Sequence, residues 1–114
     1  MFDFQDLTVY KKAKDFHQHC NALTQAVVLV NYRKDQFSRA SFSIILNIAE
    51  GSAKFSKADR KSYFTNARGS VFECVAILDV LHDEKQITTD HYRKMLLLAD
   101  ELSRMLFALI KALS

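Results

Sequence analysis

Two lines of polar residues have the types and spacing to carry chemistry. Arg39, Ser43, Asn47 and Glu50 recur at intervals of four, four and three. On a helix that spacing puts them on one face, beside an apolar stripe of Phe37, Ser41, Ile44 and Ile48. Ser62, Asn66, Gly69, Ser70 and Glu73 form a second line of small and polar residues. If the two lines faced each other, Glu50 and Glu73 would be candidate acids of a hydrolytic cleft. The competing reading is structural. Arg39 pairs with Glu73 or Glu50, while Asn47 and the serines hydrogen-bond across the helix interface and fix the register of an otherwise apolar bundle. Neither acid comes with a nucleophile, a metal set or a phosphate loop, so Arg39, Ser43, Asn47, Glu50 and Glu73 are read as a structural network and no catalytic residue is assigned.

A different chemistry is suggested further on. Lys54, Lys57, Arg60, Lys61 and Arg68 stand against Asp59 alone, a local charge of +4, with Tyr63 and Phe64 among them. Clustered cations hold phosphates and aromatic rings stack exposed bases, with affinity that falls steeply as salt rises. The plainer reading is a solvated helix start. Over the whole chain the net charge of +3 is too mild to announce nucleic-acid binding by itself. His17, His19 and Cys20 do not make a metal site, because residues 17 and 19 point to different sides of a helix and no second ligand pair follows at usable spacing. His17 reads instead as a core-edge residue with a hydrogen-bond partner. No metal and no cofactor are expected.

The elements that must position these residues are helices. Proline is absent and there are only two glycines, so the main punctuators of strands and hairpins are missing. Apolar residues at three- and four-residue spacing predict helices over about 7–30, 35–50, 57–84 and 89–113. Asn31 to Lys34 read as a polar joint and Asp35 as the cap of the second helix. Gly51 is placed just past that helix in a left-handed closing position. Ser56 caps the third helix, and Thr88 or Thr89 begins the fourth. Joints this short between helices this long predict an all-α, antiparallel, up-down-up-down four-helix bundle, with residues 1–114 as one domain.

The core stripes are expected at Leu7, Tyr10, Ala13, His17, Cys20 and Val27 in the first helix, at Phe64, Ala67, Val71, Val75, Leu78 and Leu81 in the third, and at Tyr92, Leu96, Ala99, Leu102, Leu106, Leu109 and Leu113 in the last. That leaves a surplus: Val9, Phe16, Leu23 and Val30 at heptad spacing, and Leu98, Met105 and Ile110 with Leu97 and Phe107 nearby. Apolar residues in stripes rather than scattered predict self-association. Cys20 and Cys74 fall within helical patterns and read as buried, reduced thiols. No secretory pattern opens the chain, and no run reaches the roughly 18 apolar residues of a membrane span. The expected setting is the cytoplasm, without membrane association.

The string Arg39 to Gly51, Arg-x-Ser-x-Ser-Ile-x-x-Asn-Ile-Ala-Glu-Gly, resembles the signature of four-helix-bundle proteins encoded in intervening sequences of bacterial 23S ribosomal RNA genes. Asp6 to Ala13 is similar to that family's opening, and Ala67-Arg68-Gly69-Ser70 followed by Glu73 to its third-helix motif. The resemblance covers essentially the whole chain. It implies a bundle assembled into a ring-like homopentamer, which suits the surplus stripes. Related bundles include the accessory variability determinant of diversity-generating retroelements, a basic pentamer that binds nucleic acid and a reverse transcriptase, although nothing in this sequence identifies it as that subunit. The resulting expectation is a non-catalytic homo-oligomer that binds RNA or DNA through Lys54, Lys57, Arg60, Lys61 and Arg68. The alternative is a scaffold recruiting a protein partner such as a reverse transcriptase.

Overall fold

The apolar spacing becomes four helices: α1 (Thr8–Ala26), α2 (Asn31–Ala53), α3 (Lys57–Asp83) and α4 (Thr89–Ala112), preceded by a single 3-10 turn, Asp3–Asp6. The structure, a computed structural model, describes residues 2–114, and Met1 of the predicted domain lies outside the described residues. α1 packs on α2 and α4, and α3 packs on the same two helices. Contacts across each seam run in opposite order. Gln36 meets Glu73 and Ser43 meets Ser70 across α2 and α3. Tyr92 meets Asp79 and Phe107 meets Arg68 across α3 and α4. Leu7 and Val9 share a groove with Met105 and Leu109, while Leu23 shares one with His91 and Met95. Neighbouring helices are therefore antiparallel, in an elongated bundle of 44 × 25 × 21 Å. Among the described residues no helix is long and apolar enough to cross a membrane.

The first joint differs from the predicted one. α1 ends at Ala26 rather than near Val30, and Asn31–Lys34 form the first turn of α2 rather than a polar linker. Val27 and Val30 are extended, which suits their β-branched side chains, and between them Leu29 turns into the core, 7% exposed, while Val28 is left outside. Asp35 lies inside α2 and cannot cap it; the cap position is Val30, which offers no side-chain bond. The start of α2 is held from a distance instead. Arg33 donates to Glu84 at 2.9 Å and to Gln86 at 2.8 Å, tying α2 to the joint between α3 and α4. The starts of α3 and α4 follow the local signals: Ser56 Oγ accepts from Asp59 N, and Thr88 Oγ1 from His91 N.

Gly51 does not close α2. The helix continues to Ala53, and neither glycine has a positive φ. Gly51 is glycine because α3 comes so close: a Cβ there would stand 2.8 Å from the Phe64 ring and 3.0 Å from Tyr63 Cβ. The left-handed residue is Lys85, φ 59°, after α3, where Gln86 N–H reaches back to the Leu81 carbonyl at 2.8 Å.

The inward face of α1 is shifted from the expected one. Ala13 and Cys20 of the expected stripe are buried, but so are Val9, Phe16 and Leu23 of the heptad read as surplus, whose fourth member Val30 is exposed; Leu7 is exposed, and Tyr10, His17 and Val27 are half-buried. In α4 the buried line is Met95, Ala99, Leu102 and Leu106, with Tyr92, Leu96 and Leu109 half-buried beside it. In α3 the expected Phe64, Ala67, Val71, Leu78 and Leu81 are buried, and the expected Val75 is half-buried. Cys20 and Cys74 are buried free thiols, and burial together with the contact between them pushes the Cys20 pKa upward, keeping it neutral.

Ser41 is the one fully buried polar side chain among the described residues. Its hydroxyl bonds the Ser38 carbonyl at 3.2 Å and His17 Nδ1 at 2.6 Å, while His17 Nε2 faces the Asn21 amide nitrogen at 3.3 Å. The bonds are complete with a neutral imidazole that carries its proton on Nδ1. Burial holds the His17 pKa below its ordinary 6.5.

Gly51→Ala lowers stability by about 1–3 kcal/mol despite alanine's better helix propensity, because the close approach must open. Gly69→Ala, with nothing within 4 Å of the new methyl, raises it by about 0.5–1 kcal/mol, both read from urea unfolding. For His17, the unfolded chain takes up a proton near pH 6.5 that the folded chain refuses, so stability falls as pH drops below that value. His17→Gln removes that contribution, and its unfolding free energy changes less than that of the natural chain between pH 7.5 and 5.5. Identical slopes would refute a neutral His17.

Candidate nucleic-acid interface

The joint between α2 and α3 is three residues, Lys54-Phe55-Ser56. Lys54 leaves α2 in an extended conformation, and Ser56 at once caps α3. A turn this tight gives Phe55 nothing to pack on, and it stands 103% exposed between two lysines. Lys54 lays its ammonium 5.0 Å above the Tyr63 ring. Lys57 is exposed, and Arg60 and Lys61 are half-buried on the first turns of α3. Arg60 Nε is buried without a hydrogen-bond partner. The first-turn N–H groups and positive dipole end of α3 add to these charges, and Asp59 partly offsets them.

Four of the five predicted cations therefore gather at one end of the bundle. Arg68 does not join them. It stands eleven residues beyond Lys57 on α3, about 16 Å along the axis, with its guanidinium 4.7 Å from the Phe72 ring centre and 5.5 Å from that of Phe107. The two rings claim it for the seam between α3 and α4. Of the aromatics placed among the cations, Tyr63 lies half-buried under Lys54, and Phe64 is core, packed at Gly51. The ring that faces solvent at this end is Phe55, which is not among the aromatics expected there. Its one signal was position: a phenylalanine in a joint, flanked by Lys54 and Ser56.

The polar stripe is only partly a network. Ser43 Oγ meets Ser70 Oγ at 3.0 Å, and Asn47 Nδ2 donates back to the Ser43 carbonyl at 2.9 Å and to Ser43 Oγ at 3.1 Å. Glu73 is taken by Gln36 Nε2 at 2.7 Å, not by Arg39. Arg39 and Glu50 are exposed and pair with neither each other nor Glu73. The physical reason lies across the seam. Gln36 takes Glu73, and Lys54, one helical turn after Glu50, is drawn over Tyr63. Because Ser43 faces Ser70, Glu50 lies seven residues to one side of that level and Glu73 three to the other, about 15 Å apart in all. The acids of the imagined cleft do not meet. His17 and His19 also part company, one bonding Ser41 and the other 3.6 Å from Asp15.

A family model described as 23S rRNA-intervening sequence protein matches residues 5–108. A crystal structure of a protein of unknown function from the S23 ribosomal protein family of Bacteroides thetaiotaomicron superposes with a TM-score of 0.81, at 24% identity, over 91% of this chain and 99% of that one. At that identity the likeness speaks for the fold alone. No curated protein matches the chain. The family match runs from the 3-10 turn almost to the end of α4 and takes in both the Arg39–Gly51 string and the basic joint, so the chain belongs to the 23S rRNA-intervening sequence protein family.

Proposed function

We propose that this protein is a non-catalytic cytoplasmic homo-oligomer, pentameric as the sequence resemblance implies, whose α2–α3 joint binds RNA or DNA without sequence preference. Phe55 carries the reading. A fully exposed phenylalanine costs solubility and adds nothing to the core, yet among Lys54, Lys57, Arg60 and Lys61 it is a stacking platform inside a phosphate-binding cluster. Unpaired bases fit this arrangement better than a duplex, whose bases are already stacked. Repetition around a ring would set several such ends side by side and multiply a weak individual affinity.

A second reading, a scaffold recruiting a protein partner, is favoured by the opposite end of the bundle. There Tyr32, Gln36, Ala76, Ile77 and Val80 line an open groove of about 450 Å³ between α2 and α3, mostly apolar, with Arg33 and Glu73 at its rim. A partner that stays bound through nuclease treatment and moderate salt would support that reading over the first.

Fluorescence anisotropy with short single-stranded RNA separates the two. Lys57→Glu with Lys61→Glu keeps the helical circular dichroism, weakens binding at every RNA sequence, and lowers the slope of log affinity against log salt by about 1.4, two phosphate contacts on a single strand. Phe55→Ala weakens single-strand binding by about 1–3 kcal/mol and duplex binding much less. Unchanged affinity in the double charge reversal would remove the joint as the interface.

A further inference from the structure

Two exposed apolar surfaces lie on different sides of the bundle. One is a stripe on the outward face of α2, where Phe42 is 48% and Leu46 45% exposed, with Arg39 one turn before Phe42 and in no ion pair. The other is the groove of about 310 Å³ between α3 and α4, floored by Val75, Leu96 and Ala99. Phe72 (54% exposed) and Asp100 also line it, and Phe107 (52%) stands one turn beyond Ser103, across Arg68 from Phe72. Arg68 is held between those two rings, its Nε buried and without a hydrogen-bond partner.

The two surfaces match in order and in level. Arg39 precedes Leu46 by seven residues, and Asp100 precedes Phe107 by seven. α2 and α4 are both antiparallel to α3, so they run in the same direction. Ser43 stands across from Ser70, and Phe107 beside Arg68, which sets residues 39–46 of α2 and 100–107 of α4 at the same height along the bundle. Two copies with parallel axes can then meet with Arg39 at Asp100, Phe42 over Arg68 between Phe72 and Phe107, and Leu46 against Phe107. The present partner of Asp100 is Arg104 at 3.0 Å, a pair 59% and 80% exposed that is easily exchanged.

We infer that the α2 stripe of one copy docks in the α3–α4 groove of the next. This rests on the homo-oligomer reading and specifies how it is built. The two surfaces are different, so the contact is heterologous: each copy gives one surface and receives the other, and assembly continues until a ring closes. Docking covers the phenylalanines at 42, 72 and 107 and desolvates the guanidinium among them, where cation–π attraction strengthens.

The test is light scattering after size exclusion, with circular dichroism as the folding control. The natural chain elutes as a multimer. Phe42→Asp and Phe107→Asp each bring the mass down to one chain, 13.1 kDa, with helix content unchanged. Arg39→Asp and Asp100→Arg each raise the dissociation constant about tenfold, and the two together restore assembly. Under mild oxidation, Phe42→Cys mixed with Phe107→Cys forms a disulfide between copies, whereas neither does so alone. A multimer indifferent to all four charge and Asp variants overturns the docking while leaving the homo-oligomer reading intact, as does crosslinking of Phe42→Cys with itself. A natural chain that is a single 13.1 kDa species overturns both.

Discussion

The absence of a side chain at Gly51 governs much of the geometry at the basic end. With only a hydrogen on that Cα, the Phe64 ring lies against the α2 backbone, and the end of α2 comes close to the start of α3. A short separation needs only a short joint, and Lys54-Phe55-Ser56 spans it. In so short a joint Ser56 is committed to capping α3 and Lys54 rests on Tyr63, so Phe55 has no core to enter. A packing demand inside the bundle thus produces the exposed ring and the ring of cations outside it.

The two long seams of α3 are built from opposite materials. Toward α2 they are small and polar, with the Ser43–Ser70 bond and Asn47 turned back on Ser43, which lets the backbones approach and fixes their register. Toward α4 they are aromatic and charged, with Arg68 between Phe72 and Phe107 and the Tyr92 hydroxyl on Asp79. The small seam closes tightly and leaves no cleft at its middle, while the bulky one leaves a groove. This is why the polar stripe that first suggests chemistry is structural in the middle of α2, and why the α2–α3 seam opens into a groove only toward its Tyr32 end.

Legibility in the sequence followed the range of the interactions. The bundle class, the limits of α3 and the caps Ser56 and Thr88 were readable because periodicity and capping are decided within a few residues. The first joint was not, since Leu29 is drawn into the core and Arg33 is gripped by Glu84 and Gln86, more than fifty residues away. Gly51 after a long periodic run reads as a helix end by local rules, and only the position of Phe64 shows otherwise. Spacing put Arg39 and Glu50 on the correct side of α2 but carried no information about what α3 offers opposite them. Charge clustering located four cations of the basic end, and missed both the separation of Arg68 and the exposure of Phe55.

The buried thiols of Cys20 and Cys74 give the bundle an internal clock. They sit on α1 and α3, helices on opposite sides of the core, with no exposed surface, so alkylating reagents do not reach either sulfur in the closed bundle. Fraying of a single helix end does not uncover them. Modification of these two sulfurs must wait for the core itself to part, so its rate measures how often the whole bundle opens and separates that event from the breathing of its ends.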